Sequence, residues 1–319
     1  MGEVPQVVLN SGHKMPLVAM GTAQFPFVED ESLKLPILEA MVLGYRHFDT
    51  AKLYKSERAL GEAIAEALNT NIIRSRGDIF ITSKLWCTDV HPDKVLPALK
   101  ETLERLKLEY LDLYLIHFPV RLREGYRGFS WAAEDILPVD IKGTWGAMEE
   151  CCRMGLTKSI GVSNFSSKKL GDLLAYATIP PAVNQVEMHP QWQQRKMREF
   201  CEAKGIHVTA YSPLGGQRDI AGPVAVLDCE VLHEIARAKG KTAAQVSLRW
   251  VFQQGVGLVV KSFNKDRLKE NLEILDWELN EEDLLNFKEL PQKKVFPTQY
   301  FVSPNGPYKT VEELWDEDI

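Results

Sequence analysis

Three consecutive segments decide the fold: Ile79-Phe80-Ile81-Thr82-Ser83-Lys84-Leu85-Trp86, then Pro92–Leu106, then Leu111-Asp112-Leu113-Tyr114-Leu115-Ile116-His117-Phe118-Pro119. The first and third are near-continuous apolar runs without strict alternation, as expected of strands covered on both faces. Between them, Pro92–Leu106 repeats apolar residues at a spacing near 3.6, with Pro92 suited to the first helical position. A strand, a helix and a second strand are the unit of a parallel sheet with a right-handed crossover.

The unit recurs in both directions. Further strands are expected at Leu17–Thr22, His47–Ala51, Ser159–Asn164, Ala182–Met188, His207–Pro213 and Leu258–Phe263, and helical periods at Glu57–Leu68, Lys168–Ala177, Arg195–Lys204 and Thr242–Gln254. Eight strands alternating with helices predict an α/β fold, a closed (β/α)8 TIM barrel. Val7–Asn10, a Ser11-Gly12 turn and His13–Pro16 predict an N-terminal hairpin plugging the barrel's bottom. No linker divides the chain, so residues 1–319 read as a single barrel domain. Three stretches lack a period: Val120–Pro138, Leu214–Val226 and the long C-terminal loop Gln292–Ile319. Their aromatics, Tyr126, Phe129, Trp131, Tyr300, Phe301, Tyr308 and Trp315, suit a lid that touches substrate.

A formal net charge of −6 offers no whole-chain attraction for nucleic acid. Cys87, Cys151, Cys152, Cys201 and Cys229 are odd in number and form no Cys-x-x-Cys pair, so free thiols in the cytoplasm are expected. No secretory pattern, myristoylation signal or apolar run of membrane-spanning length is present, and the histidines lack ligand spacing, so neither a membrane nor a metal is expected.

The informative residues are ionisable side chains where apolar strands finish. Asp49 closes the second strand, Tyr54 follows five residues later, Lys84 ends the third and His117 ends the fourth. Singly, Asp49 reads as a helix cap, Tyr54 as a packing aromatic and His117 as a hydrogen-bonded core histidine. Together they converge on the barrel's C-terminal rim, where active sites of this architecture lie. Lys84 in an apolar strand needs an anion, and Asp49 is nearest by topology. The Lys84 ammonium is expected to acidify the Tyr54 phenol, at about 1.4 kcal/mol per pKa unit, with His117 orienting the same substrate oxygen. A proton donor without nucleophile or metal suits carbonyl reduction by hydride from a separate cofactor. No Gly-x-Gly-x-x-Gly or P-loop occurs, but Lys261 and Arg267 flank a helix start after the eighth strand. Such a site suits the 2′-phosphate of NADP, the alternative being a solvated helix cap with incidental charges.

Gly44-Tyr45-Arg46-His47-Phe48-Asp49-Thr50-Ala51 with Tyr54 resembles the first signature of the aldo-keto reductase superfamily. Leu111–Pro119, Gly161-Val162-Ser163-Asn164-Phe165 and Lys261–Arg267 resemble further signatures in the same order, and the likeness runs over essentially the whole chain. The resemblance implies an NADPH/NADP+ oxidoreductase with Tyr54 as general acid in a tetrad with Asp49, Lys84 and His117. It implies that Ser163, Asn164 and Gln185 hold the carboxamide, and that Tyr211 stacks on the nicotinamide. Ser212 and Leu214 would follow the pyrophosphate. Lys261, Ser262, Asn264 and Arg267 would grip the adenosine phosphate, with Glu270 and Asn271 at the adenine. Asp49, Gly21, Thr22 and Phe263 complete the implied cofactor set.

Within the superfamily, Asp135–Pro138, Trp145–Cys151, Ile179–Pro181, Val186–Met188 with Trp192–Gln194, and the tail from Gly306 to Asp316 are similar to plant reductases of specialised metabolism. The chain departs from relatives at Phe118, where many have Trp, at Ala23, where non-plant aldose reductases have an aromatic, and at Lys52 and Leu53, where small residues are common. The expected activity is reduction of a bulky ketone, of alkaloid type, to a secondary alcohol. The pocket would be lined by Ala23, Phe25, Leu53, Trp86, His117, Phe118, Trp131, Tyr300 and Phe301. Rival readings are a broad aldehyde or aldose reductase, an enzyme working beside a polyketide synthase, and an NADPH-binding docking protein. The expected partner is a small-molecule carbonyl compound, and the expected assembly a monomer.

Overall fold

The computed structural model describes residues 3–27, 31–125, 131–216, 226–296 and 298–316. Hairpin strands β1 (Gln6–Val8) and β2 (Lys14–Pro16) pair antiparallel, as expected from the Ser11-Gly12 turn. Eight parallel strands then close the barrel: β3 (Val18–Gly21), β4 (His47–Asp49), β5 (Phe80–Leu85), β6 (Leu111–Ile116), β9 (Thr157–Ser163), β10 (Val183–Glu187), β11 (His207–Tyr211) and β12 (Gly257–Val260), which returns to β3. Every residue of β5 and β6 is buried, so the continuous apolar runs follow from two covered faces. Among the described residues, no helix is long and apolar enough to cross a membrane.

Helices α1 (Lys34–Leu43), α2 (Glu57–Asn69), α3 (Pro92–Leu106), α4 (Ile141–Arg153), α5 (Ser167–Leu174), α6 (Arg195–Ala203), α7 (Glu230–Lys239), α8 (Ala243–Gln253), α9 (Lys265–Leu272) and α10 (Glu281–Lys288) lie between or after the strands. Their starts are chemically marked. His91 caps α3 ahead of Pro92, Thr242 and Gln245 form a reciprocal capping box on α8, and Asn264 Oδ1 accepts from Arg267 N at 3.0 Å to cap α9. The segment 120–138 is not wholly irregular. It contains β7 (Arg121–Leu122) and β8 (Ile136–Leu137), paired antiparallel, and the tail carries a short helix, α11 (Val311–Trp315). Tyr126 and Phe129, and most of the stretch expected to be irregular after Leu214, lie outside the described residues.

The lower barrel holds two histidines whose partners fix their charge. His47 Nδ1 donates to the Pro16 carbonyl at 2.9 Å, so its Nε2 accepts from the Thr82 hydroxyl, also at 2.9 Å. His207 Nε2 accepts from Gly257 N at 3.1 Å, an approach that glycine permits because a Cβ there would come within 3.2 Å of that nitrogen. Burial lowers both imidazoles below the ordinary value, and His207, which also faces His47, is pushed down to about 4. A folded value below the unfolded one means that the unfolded chain takes up protons first as pH falls. The contribution of His207 to stability is therefore lost progressively from about pH 6.5 to about pH 4. In His207→Gln, whose side chain can still accept from Gly257, Tm measured by circular dichroism falls less steeply over that window than in the wild type. An unchanged slope would acquit His207.

Candidate active site

The C-terminal ends of β4, β5 and β6 bring Asp49, Lys84 and His117 to one rim. Lys84 is fully buried, and its ammonium must place three N–H bonds without water. Its Nζ lies 2.5 Å from Asp49 Oδ1, 3.1 Å from the Thr50 carbonyl and 3.5 Å from the Tyr54 hydroxyl. The other Asp49 oxygen accepts from Gln185 Nε2 at 2.8 Å, so the carboxylate joins β4, β5 and β10. Tyr54 ends a one-turn 3-10 helix, Lys52–Tyr54, that Lys55 stops with a left-handed φ of 57°. Its ring stacks on Phe27 at 5.7 Å, and its hydroxyl is 3.3 Å from His117 Nε2. His117 Nδ1 is buried without a hydrogen-bond partner among the described residues. An orphaned N–H is rarer than an orphaned lone pair, which assigns the imidazole proton to Nε2 and aims a donor at the rim beside Tyr54.

The four residues are together as expected, but the acidified phenol is not what they produce. Burial, and then the Asp49 charge, push the Tyr54 phenol well above its ordinary value of 10. Burial lowers Lys84, with Asp49 opposing, and burial followed by the Lys84 charge holds His117 well below 6.5. The resting site thus holds a protonated phenol beside a neutral imidazole.

Farther round the rim, β9, β10 and β11 gather Ser163, Asn164, Gln185 and Tyr211. Ser163 Oγ donates to the Gln185 carbonyl at 2.8 Å, and Asn164 Nδ2 donates to the His117 carbonyl at 2.9 Å. The Tyr211 hydroxyl donates to Asn164 Oδ1 at 2.8 Å. Ser212 then turns the chain with a left-handed φ of 51°, ahead of Leu214. Gly21 is overhung by Val259 and Lys261, while the Thr22 hydroxyl donates to the Asp49 carbonyl at 2.9 Å. Lys261 and Arg267 face the start of α9, Lys261 lies 4.8 Å over the Phe263 ring, and among the described residues no carboxylate pairs with either cation. Burial, then Arg267, lowers the Lys261 ammonium. Two unneutralised cations, the Ser262 hydroxyl and a helix N-terminus form a donor set that fits a phosphate. Glu270 is tied to the Thr242 hydroxyl, and Asn271 is buried against the Tyr45 hydroxyl.

Above Tyr54 stands an aromatic wall. Trp86, Phe118, Leu53 and Phe301 pack in one cluster, with Trp131 against it. Trp131 stacks on Phe301 at 5.2 Å and donates from Nε1 to the Tyr300 carbonyl at 2.8 Å, joining the segment after β7 to the tail. Phe25 stands at the edge, 46% exposed, and Ala23 is half-buried. Phe27 and Phe296, the latter 6.3 Å from Tyr211, belong here and were not singled out by sequence reading. Neither was Glu187, whose carboxylate accepts from Val295 N at 2.5 Å, Phe296 N at 3.0 Å and His189 Nε2 at 3.1 Å and so moors the tail. A charge ending an apolar strand marked Lys84, and the same signal was present at Glu187.

A parallel barrel that gathers Asp49, Tyr54, Lys84 and His117 at its C-terminal rim, with two cations, unpaired among the described residues, at a helix start, has the arrangement expected of a carbonyl oxidoreductase. The aldo/keto reductase family model matches residues 17–291, and the chain belongs to that family. It is 56% identical to the 7-acetyl-epi-neemfruitin B aldo-keto reductase of Melia azedarach over 99% of this chain and 98% of the relative. It is 55% identical to NADPH-dependent codeinone reductase 1-4 of Papaver somniferum, over 98% of each. The Bombyx mori aldo-keto reductase solved in complex with NADP superposes with a TM-score of 0.83 at 33% identity, over 92% of this chain and 94% of that one.

Alkaline ultraviolet difference titration of the wild type against Tyr54→Phe checks the state of the phenol. The account expects Tyr54 to stay protonated past pH 10. A tyrosinate signal lost with Tyr54 and centred below pH 10 would contradict it.

Proposed function

We propose that the protein reduces a ketone of a bulky plant metabolite, of alkaloid type, to a secondary alcohol, with NADPH as reductant. The observation that carries this reading is the Tyr54 hydroxyl, 3.3 Å from His117 Nε2, set beneath an uncharged wall of aromatic rings. A bound reduced nicotinamide supplies the hydride to the carbonyl carbon. Tyr54 Oη gives its proton to the carbonyl oxygen as the C=O π bond opens, and His117 Nε2–H holds that oxygen in line. The phenolate left behind faces the Lys84 ammonium, so the cation acts on the charge that develops rather than on the resting phenol. Asp49 keeps Lys84 charged and aimed.

Lys261, Ser262, Asn264 and Arg267 would hold the adenosine phosphate, with Phe263 beneath Lys261 and with Glu270 and Asn271 nearby. Ser163, Asn164 and Gln185 would position the carboxamide and Tyr211 the ring face, while Gly21, Thr22, Ser212 and Leu214 shape the path between. The small Ala23 and the apolar Phe118 leave room for a ring system. Phe25, Trp131 and Tyr300 offer accessible aromatic faces, backed by the buried Trp86, Leu53 and Phe301, which supports a polycyclic ketone over a polyhydroxylated sugar.

Tyr54→Phe is expected to quench on NADPH like the wild type yet lose at least about a hundredfold in turnover. Undiminished turnover would refute the assignment. Lys261→Ala and Arg267→Ala should each weaken NADPH about 10- to 100-fold while leaving NADH nearly unchanged. Equal loss for both dinucleotides in a fluorescence titration would move the phosphate elsewhere. Across a carbonyl panel, higher kcat/KM on bicyclic ketones than on small aldehydes supports the proposed substrate class, and the reverse order favours a broad aldehyde reductase.

A further inference from the structure

Lys52, unusual for its place just ahead of Tyr54, does not face the aromatic wall. Its ammonium lies 2.9 Å from Asp89 Oδ2 and 3.3 Å from Glu101 Oε2. Asp89 closes the short turn that follows Trp86, with Asp89 N donating to the Trp86 carbonyl at 2.8 Å, and Glu101 lies on α3. The chain of opposite charges continues. Arg105 Nη1 is 3.6 Å from Glu101, Arg105 Nε is 2.6 Å from Glu57 Oε2, and Ser83 Oγ donates to Glu57 Oε1 at 2.7 Å. Glu57 follows Tyr54 by three residues, and Ser83 precedes Lys84. Asp89, Lys52, Glu101, Arg105 and Glu57 therefore alternate in sign around the back of the tyrosine turn and grip it at both ends.

That turn is fixed in front by Leu53, buried in the aromatic cluster, and just after it by the Ser56 hydroxyl, bonded to Thr50 Oγ1 at 2.8 Å and Thr22 Oγ1 at 2.7 Å, while the ion pairs act behind. It is one 3-10 turn, held locally by Tyr54 N donating to the Ala51 carbonyl at 3.0 Å and by a longer bond from Lys55 N to the Lys52 carbonyl at 3.4 Å. The space behind it is a cleft of about 340 Å3, lined by Lys52, Asp89, Lys94 and Glu101 among others, where an apolar filling would otherwise lock the backbone. We propose that Lys52 is a positioning residue, whose ion pairs to Asp89 and Glu101 set the distance between the Tyr54 turn and the Trp86 loop across the substrate pocket. The proposal rests on Tyr54 being the proton donor. The pair to Glu101, whose side chain is exposed, does little for stability by itself, whereas a network that fixes a donor within an ångström has leverage on rate.

The test measures kcat and KM on a bicyclic ketone at saturating NADPH for the wild type, Lys52→Met and Lys52→Arg. Lys52→Met should lose about tenfold in kcat, with NADPH affinity within about twofold and Tm within about 4 °C of the wild type. Lys52→Arg should recover most of the loss. Raising KCl from roughly 0.05 M to roughly 0.5 M should lower the kcat of the wild type but not that of Lys52→Met, because screening reaches the exposed Glu101 end of the network. The salt arm reads the network in the wild type even where a variant fails to fold. Wild-type kcat indifferent to salt, full turnover in Lys52→Met, or no recovery in Lys52→Arg would overturn the proposal. Wild type and Tyr54→Phe turning over equally would instead overturn the donor assignment on which it rests.

Discussion

A lysine ammonium with no access to water is among the costliest groups a barrel can hold, and its cost is met at Lys84 by a single carboxylate. Removing both ions from water would penalise folding by several kcal/mol per ion if they were left unpaired. Asp49 at 2.5 Å and the Thr50 carbonyl at 3.1 Å take two of the three N–H bonds. The third points at the Tyr54 hydroxyl. The same Asp49 receives Gln185 from across the barrel, so one carboxylate sets the mutual placement of β4, β5, β10 and the tyrosine turn. Stability and chemistry share these atoms.

For the catalysis proposed here, the consequence is a matter of timing. While Tyr54 keeps its proton, burial and then the Asp49 charge hold the phenol above its ordinary value. Once the proton leaves, the phenolate is a new negative charge within reach of Lys84, in surroundings where water cannot screen it. A site that held a phenolate at rest would have no proton to give a carbonyl oxygen. The aromatic wall of Trp86, Phe118, Trp131 and Phe301 presents an apolar cover beside Tyr54, and the tail is moored to the barrel at one end through Glu187 on β10. At the other, Lys169 Nζ lies 2.5 Å from Asp316.

Much of this was legible in the sequence, and the limits are physical. The eight strands were readable because most of their residues are covered on both faces, which shows most clearly in the apolar runs of β5 and β6. Asp49, Lys84 and His117 were readable as a group because three ionisable side chains fall where neighbouring apolar strands finish. Helix α1 carried little signal, since Lys34–Leu43 is apolar nearly all round and shows no preferred face. The β7–β8 ribbon escaped because two residues per strand cannot display a period. The state of the phenol was misjudged for a different reason. Sequence brings Lys84 near both Asp49 and Tyr54, but only coordinates show an ammonium 1 Å closer to the carboxylate. Phe27 and Phe296 have no polar mark, and their role comes from ring contacts that no spacing encodes.

The central claim is that the Asp49–Lys84 pair exists to serve Tyr54 and not merely to satisfy itself. Removing both charges in the double variant Asp49→Asn/Lys84→Met leaves no orphaned ion and retains an acceptor for Gln185, so the fold should survive. The deciding measurement is the single-turnover rate of hydride transfer in that variant with NADPH bound. The account predicts a folded, NADPH-binding protein whose hydride transfer is as slow as that of Tyr54→Phe. A rate close to the wild type would show that the buried pair is structural alone and would contradict the account.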